Sequence, residues 1–324
     1  MVQGTIVSRR AIVQHDAGRS PPLPEKVAHM PELPEVETVR RGLEPAMVGR
    51  TFVRVEQRRA DLRFPFPQHF SDRLTGTTVT DISRRGKLMM AGLDSGEVLL
   101  MHLGMSGGFA ILDNAPETPG RFYHRRDNQP DQAGRHDHVV FEMSGGATVI
   151  YNDPRRFGFM GLERSDELTA SRHLRNLGPE PLGAEFTGQY LATALAGRQT
   201  SLKAALLDQR LVAGLGNIYV SEALHHARLS PRRLAASASA RNGRSIRAER
   251  LVVAVREVLA AAIEAGGSSL KDFAHTDGGL GLFQHRFAVY DRAGTQCPRT
   301  RCGGTIKKIV QNGRSTFYCP ACQR

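Results

Sequence analysis

Four cysteines fall in the last 28 residues of this 324-residue chain, as Cys297-x4-Cys302 and Cys319-x2-Cys322 with 16 residues between the pairs. Two such knuckles joined by a hairpin bring four thiolates to the corners of a tetrahedron, the usual way of holding structural zinc. Four sulfur ligands leave no open coordination position, so the metal's task is folding rather than chemistry. Between the knuckles, "IKKIVQNGRSTFY" sets Lys307, Lys308 and Arg314 around an Asn-Gly turn. A guanidinium at such a tip can reach into a groove or onto a phosphate. Cysteines confined to one tail do not make a disulfide scaffold, and no apolar secretory core precedes them. An intracellular, cytoplasmic setting is expected.

Charge narrows the choice of partner. Lys plus Arg number 44 against 32 Asp plus Glu, a formal +12 with pI ≈ 10.1. Residues 1–29 hold four basic and two acidic groups, so +10 belongs to the rest. Such a surface points to a polyanion, with nucleic acid ahead of an anionic membrane. No run of 18 apolar residues is available to span a membrane. The absence of Trp and an aromatic content of 6% argue against single-strand stacking. "AGLGNIYVSE" lacks the third glycine of a dinucleotide loop. It reads instead as a turn aiming Asn217 and a helix N-terminus at a phosphate.

The elements that must position these groups follow from periodicity. "PEVETVRRGLEP" reads as a helix with Pro34 in its first turn, Val36, Val39 and Leu43 on one face, and Gly42 and Pro45 at its end. Glu35 and Glu37 both suit its positive N-terminal end. "TFVRVE", "TTVTDIS", "KLMMAGL", "EVLLMHLGM", "HVVFEM" and "ATVIYN" read as short strands, suggesting an antiparallel sandwich or barrel. The second half turns helical, in "SLKAALLDQ", "NIYVSEALHHARL" and "RAERLVVAVREVLAAAIEAGG". "TDGGLGLF" reads as a mobile loop. The expected organisation is a multidomain α and β chain: a leader over 1–29, absent from the mature protein or disordered, a β-sandwich over 31–165, and a join over 166–183. A helical domain over 184–286 and a separate zinc unit over 287–324 complete it.

"MPELPEVETVRRGLEP", "RRGKLMM", "HLGMSG", "HDH", "DPRRFG", "LGPEPL", "LVAGLGNIYVSEAL", "GGSSLKDF" and the cysteine tail occur in one order from Met30 to Arg324. Together they resemble the formamidopyrimidine-DNA glycosylases, bacterial enzymes that excise oxidised purines such as 8-oxoguanine from duplex DNA. "PELPEVET" is closer to this branch than to the related endonuclease VIII, which favours oxidised pyrimidines. The resemblance implies an N-terminal β-sandwich with a flanking helix, a helix–two-turn–helix domain, and a zinc-finger hairpin holding one structural Zn2+.

It also implies roles for particular residues. Pro31, made N-terminal by loss of Met30, is the amine nucleophile, and Glu32 is the acid/base carboxylate. Lys87 contacts phosphate and assists β-elimination, and Arg314 is implicated in the second elimination. His136 and Arg155 contact phosphate, while Met105, Arg155 and Phe157 fill the gap left by the flipped nucleotide. Asn217, Arg198 and Lys203 are further phosphate contacts. "GGSSLKDFAHTDGGLGLF" is the loop that closes over the flipped base. The implied partner is double-stranded DNA carrying oxidised purines or abasic sites, bound by a monomer. If the leader stays attached, Pro31 is an amide without a basic lone pair, and the chain is instead a non-catalytic binder of damaged DNA.

Overall fold

The structure, a computed structural model, describes residues 30–112, 134–239, 245–268 and 281–324. Eight strands form two four-stranded antiparallel sheets: β1 (Phe52–Gln57), β2 (Val79–Arg85), β3 (Leu88–Leu93), β4 (Glu97–His102), β5 (Gly108–Leu112), β6 (Asp137–Met143), β7 (Thr148–Asn152) and β8 (Phe159–Arg164). One sheet runs β1-β6-β7-β5 and the other β2-β3-β4-β8. Their facing residues, among them Phe52, Met89, Leu99, Met101, Phe141, Val149 and Tyr151, make a single sandwich core. β4 is buried on both faces, because Leu100 joins a second cluster with Leu88, Val98 and Phe159 on the outer side of its sheet. That is why "EVLLMH" reads as a continuous apolar run rather than an alternating one.

β5 and β8 were not expected from the sequence. Only Phe109 of β5 is buried, and β8 becomes polar after Met160, so neither carries a strong periodic signal. The pairings Leu88↔His102 and His102↔Phe159 bring three loops to one end of the sheet. These are the turn before Lys87, the loop after β4 and the loop before β8.

The first helix, α1 (Leu33–Met47), continues past its expected stop and contains Pro45. A proline in the last turn removes one N–H, which leaves the carbonyl of Arg41 without its helical donor. Arg41 is exposed, so water reaches that end, while the next turn buries Met47 completely. α1 also joins two cores. Val36, Val39, Leu43 and Met47 belong to the sandwich, but Leu33 belongs to the helical body.

α2 (Phe70–Leu74) packs on the sandwich, whereas the helical body comprises α3 (Gly188–Leu195), α4 (Leu202–Leu206), α5 (Asn217–His226) and α6 (Ile246–Glu264). α3, also unexpected, is short and is started by the Thr187 side chain, which accepts from the Tyr190 N–H. A final hairpin, β9 (Lys307–Gln311) and β10 (Arg314–Tyr318), turns through Asn312 and Gly313, both at positive φ. The tail expected to be a separate unit from 287 is not separate in its packing. Phe287, Val289, Tyr290, Cys297, Ile306, Phe317 and Cys319 share one core with α3–α6.

Glu222 fastens that junction from inside. It is 1% exposed, and its carboxylate accepts from the N–H groups of Ala288, Val289 and Tyr290 at 2.8–3.0 Å. Glu222→Ala removes the acceptor of three N–H groups, two of them buried. Urea denaturation is expected to show a loss of about 3–5 kcal/mol; a loss under about 1 kcal/mol counts against this anchoring role.

Candidate active site

Pro31 and Glu32 sit at the start of α1, and both are buried. The Glu32 carboxylate lies on the first turn of α5, accepting from the Ile218 N–H (2.9 Å) and the Tyr219 N–H (3.3 Å). Unpaired N–H groups and the helix dipole both favour a negative charge there. The expectation that this helix N-terminus is aimed at a DNA phosphate is therefore corrected, because a carboxylate of the protein occupies it. Gly216 admits that carboxylate: a β-carbon at 216 would overlap it.

Glu35 is 2% exposed and holds the same corner. Its carboxylate accepts from the Glu32 N–H (3.0 Å), from the Ser268 N–H (2.8 Å) and hydroxyl (2.9 Å), and from the Tyr219 hydroxyl. It is the helix-start carboxylate expected from sequence, closing a capping box with Glu32, and it also reaches groups on two other elements. Glu37 lies beyond the first turn, partly exposed and paired with Arg40, Arg41 and Arg84.

Lys87 follows a turn locked by Glu180, which pairs with Arg84 and Arg85 (both 2.9 Å) and accepts from the Gly86 N–H (2.6 Å). Burial is the largest influence on both Glu32 and Lys87, and it acts in opposite directions on their charges. It raises the Glu32 pKa to about 7, with the Lys87 charge opposing and Glu35 reinforcing. It lowers the Lys87 pKa against the charges of Glu32 and Glu35, with Arg314 adding to the fall. Glu32, Lys87 and Arg314 thus share one electrostatic neighbourhood although they come from α1, a sandwich turn and the hairpin. Arg314 itself is exposed at the hairpin tip.

Lys203 and Asn217 are placed differently from expectation. Lys203 is 1% exposed, and its ammonium donates to the Ser315 carbonyl (2.9 Å) and the Thr316 hydroxyl (2.7 Å). Asn217 Nδ2 donates to the same carbonyl (3.0 Å) and to the Tyr290 hydroxyl (3.2 Å). In this structure both side chains hold β10 in place directly beside Arg314 rather than facing outward. Burial lowers the Lys203 pKa to about 8. Arg198 is partly exposed and pairs with Asp208 at 3.3 Å.

The structure does gather the three expected gap-filling residues. Met105 lies in the loop after β4, and Arg155 and Phe157 lie in the loop before β8. The Arg155 N–H donates to the Ser106 hydroxyl (3.0 Å), and the Arg155 guanidinium stacks on the Phe157 ring at 4.9 Å. Phe157 remains 43% exposed even with that guanidinium over its ring. Asp153, fully buried and not singled out from the sequence, ties the two loops together. It accepts from the Ser106 hydroxyl (2.6 Å), the Gly158 N–H (2.8 Å) and the Tyr151 hydroxyl (3.2 Å). The His136 carbonyl accepts from the Asp153 N–H (3.0 Å), which sets His136 beside this assembly. Of the loop expected to close over a flipped base, residues 269–280 lie outside the described residues.

Three family models match the chain in order. They are the formamidopyrimidine-DNA glycosylase N-terminal domain over residues 30–160, the H2TH domain of the same enzymes over 177–274, and the zinc finger found in FPG and IleRS over 296–324. The chain belongs to the formamidopyrimidine-DNA glycosylase family. Enzymes of that name from a Bradyrhizobium species and from Rhodopseudomonas palustris are 59% and 60% identical over 297 residues, covering 91% of this chain and all of each relative. The crystal structure of the MutM (Fpg) protein of Thermus thermophilus superposes with a TM-score of 0.74 at 40% identity, covering 90% of this chain and 98% of that one. The Lactococcus lactis Fpg bound to DNA containing an abasic site gives 0.74 at 33% identity, covering 90% and 99%.

The family's zinc finger has its ligands in place. The sulfurs of Cys297, Cys302, Cys319 and Cys322 all lie within 4.8 Å of one another, with pairs at 3.5 and 3.9 Å. A tetrahedron with Zn–S of about 2.3 Å needs sulfurs roughly 3.8 Å apart, so the cage fits one structural zinc. Because Cys297 and Cys319 are also part of the helical core, chelation is expected to lower the melting temperature of the helical body. A hairpin that merely unravelled at the surface would leave that transition unmoved.

The Glu32 shift also predicts a pH dependence of stability. Its pKa is raised from 4.5 unfolded to about 7 folded, so the proton is held more tightly in the folded state. This group's contribution is present below pH 4.5 and is lost as pH rises through about 7, by about 3 kcal/mol at most. Glu32→Gln should flatten the decline in unfolding free energy between pH 5 and 8, and an unchanged slope would speak against the shift.

Proposed function

We propose that this chain excises oxidised purines from duplex DNA and then nicks the strand at the resulting abasic site. The observation that carries this reading is the Glu32 carboxyl. It is buried next to Pro31 on the N-terminus of α5, with a pKa of about 7 that lets it both give and take a proton near neutrality.

The nucleophile in this reading is the Pro31 amine, freed by removal of everything before it. Unprotonated, it attacks C1′ of the damaged nucleotide, and the bond from C1′ to the base breaks with the electron pair leaving on the base, which takes up the proton that the proline nitrogen sheds. An α-amino group with a pKa near 8 is roughly 10% neutral at pH 7, against under about 0.1% for an ordinary lysine. Proton delivery from Glu32 to the sugar ring oxygen opens the ring and leaves a C1′ iminium on the proline nitrogen. The iminium draws electrons from C2′ as its proton is removed. This expels the 3′ phosphate, and a second elimination expels the 5′ phosphate. Lys87 and Arg314 supply positive charge where those phosphates lie. Met105, Arg155 and Phe157 occupy the space that the extruded nucleotide leaves.

Relatives support the substrate class. Solved Lactococcus lactis complexes contain DNA with a Fapy-dG or an abasic site. Among the described residues no helix is long and apolar enough to cross a membrane. We place the enzyme in the cytoplasm as a monomer acting on the chromosome.

The test is borohydride trapping on 8-oxoguanine duplex DNA, combined with peptide mapping. A chain beginning at Pro31 should give a covalent adduct at that residue, whereas a chain retaining residues 1–30 should give none. Tight binding without trapping by the Pro31-start chain would establish a damage-binding protein in place of the enzyme.

A further inference from the structure

Beyond the gap-filling loops, one end of the β2-β3-β4-β8 sheet carries a row of stacked rings that leads from Lys87 to the surface. The His102 and Phe159 rings stack at 5.3 Å and 7°, and Phe159 stacks on His173 at 4.3 Å and 25°. Phe64 closes the row, 5.6 Å from Phe159 and 6.2 Å from His173. Over Phe64 lie two guanidiniums, Arg63 at 5.4 Å and Arg172 at 5.1 Å from its centroid. Both arginines are exposed, and neither has a carboxylate partner within 4 Å among the described residues. The Arg172 Nε–H donates instead to a ring nitrogen of His173 (3.0 Å). Some other exposed arginines of the sandwich are neutralised, Arg54 by Glu142 and Arg164 by Asp166 among them.

The row's imidazoles do not add charge. Burial, then Lys87 and Arg63, lower the His102 pKa to about 4, and burial with Arg172 lowers that of His173. What reaches solvent is therefore a pair of fixed like charges roughly 10 Å apart or less, repelling one another with no carboxylate in direct contact among the described residues. Glu163, an acid that acts on the row, faces His173 and Ser171. Their stacking on one ring holds the two guanidiniums in a limited set of orientations, which lowers the entropy lost on capturing an anion. Their position is continuous with the site. The Arg63 N–H donates to the Gly158 carbonyl (3.0 Å) at the end of the Phe157 loop, and the row begins at the strand paired with the Lys87 turn.

We propose that Arg63 and Arg172, braced on Phe64, form a clamp for backbone phosphates of the duplex flanking the lesion. The clamp lengthens the DNA footprint along the rim of the sandwich without touching the reacting nucleotide. This rests on the reading that the chain acts on duplex DNA, and the experiment keeps the two apart.

The experiment measures binding of the Pro31-start enzyme to a 30-base-pair duplex with a central abasic-site analogue, over a series of salt concentrations. Each phosphate contact contributes about 0.9 to the slope of log K against log salt. Arg63→Ala/Arg172→Ala should reduce the slope by about 1.8, while Arg63→Lys/Arg172→Lys keeps the slope and Arg164→Ala leaves it unchanged. The excision rate at saturating enzyme should be the same for all. On a duplex cut back to a few base pairs either side of the lesion, the difference between wild type and the double alanine variant should vanish. A slope identical to wild type in the double alanine variant overturns the clamp, as does an equal loss on the shortened duplex. Failure of the wild-type chain to bind or cut lesion DNA would strike the underlying enzymatic reading instead. A thermal melt of the alanine variant, matched by the lysine variant, separates lost contacts from lost folding.

Discussion

The contact on which the molecule depends is one carboxylate resting on one helix end. Glu32 comes from the first turn before α1, and the N–H groups that receive it come from α5, 186 and 187 residues away in sequence. Burying a carboxylate this thoroughly would ordinarily be prohibitive without donors. Here the donors are backbone groups that a helix start leaves unpaired in any case. The bond fixes the orientation of the sandwich domain against the helical domain. Burial at the same junction raises the carboxyl's proton affinity, against the two N–H donors, which favour its charged form. Structural closure and chemical tuning come from one burial site, with the hydrogen bonds limiting the shift rather than causing it.

Around that contact the protein uses buried and half-buried acids as fasteners. Glu35 holds the backbone of Glu32, Glu180 holds the turn that presents Lys87, Glu222 holds the segment leading to the zinc hairpin, and Asp153 holds the loops of Met105 and Phe157. Each accepts from two or more donors on a different element. A net-basic surface that attracts DNA is thereby built on an interior in which carboxylates do the positioning.

Much of this was legible in the sequence. The cysteine spacing announced the metal cage, and the Asn-Gly pair announced the hairpin tip. The strand runs that alternate or are wholly apolar were visible, and those that bury a single ring, such as β5, were not. The buried role of Glu35 was available in principle. Positions 32, 35, 39 and 43 lie on the stripe occupied by Val36, Val39 and Leu43, whereas 37 does not. The inward turn of Lys203 and the occupation of α5's N-terminus were not available. Both depend on a partner more than a hundred residues away, and local pattern carries no information about which distant group arrives there. The family resemblance nominated the residues; only the packing separated those left exposed, such as Arg314 and Phe157, from those turned inward, such as Lys203.

α1 is rooted at its first residue in one body and along the rest of its length in the other. Any rocking of the two bodies must therefore bend the chain at Leu33, immediately after Pro31 and Glu32. A jaw hinged at its own leading edge cannot gape without disturbing that edge. The spacing of the two bodies and the placement of the Pro31 nitrogen are thus mechanically one variable.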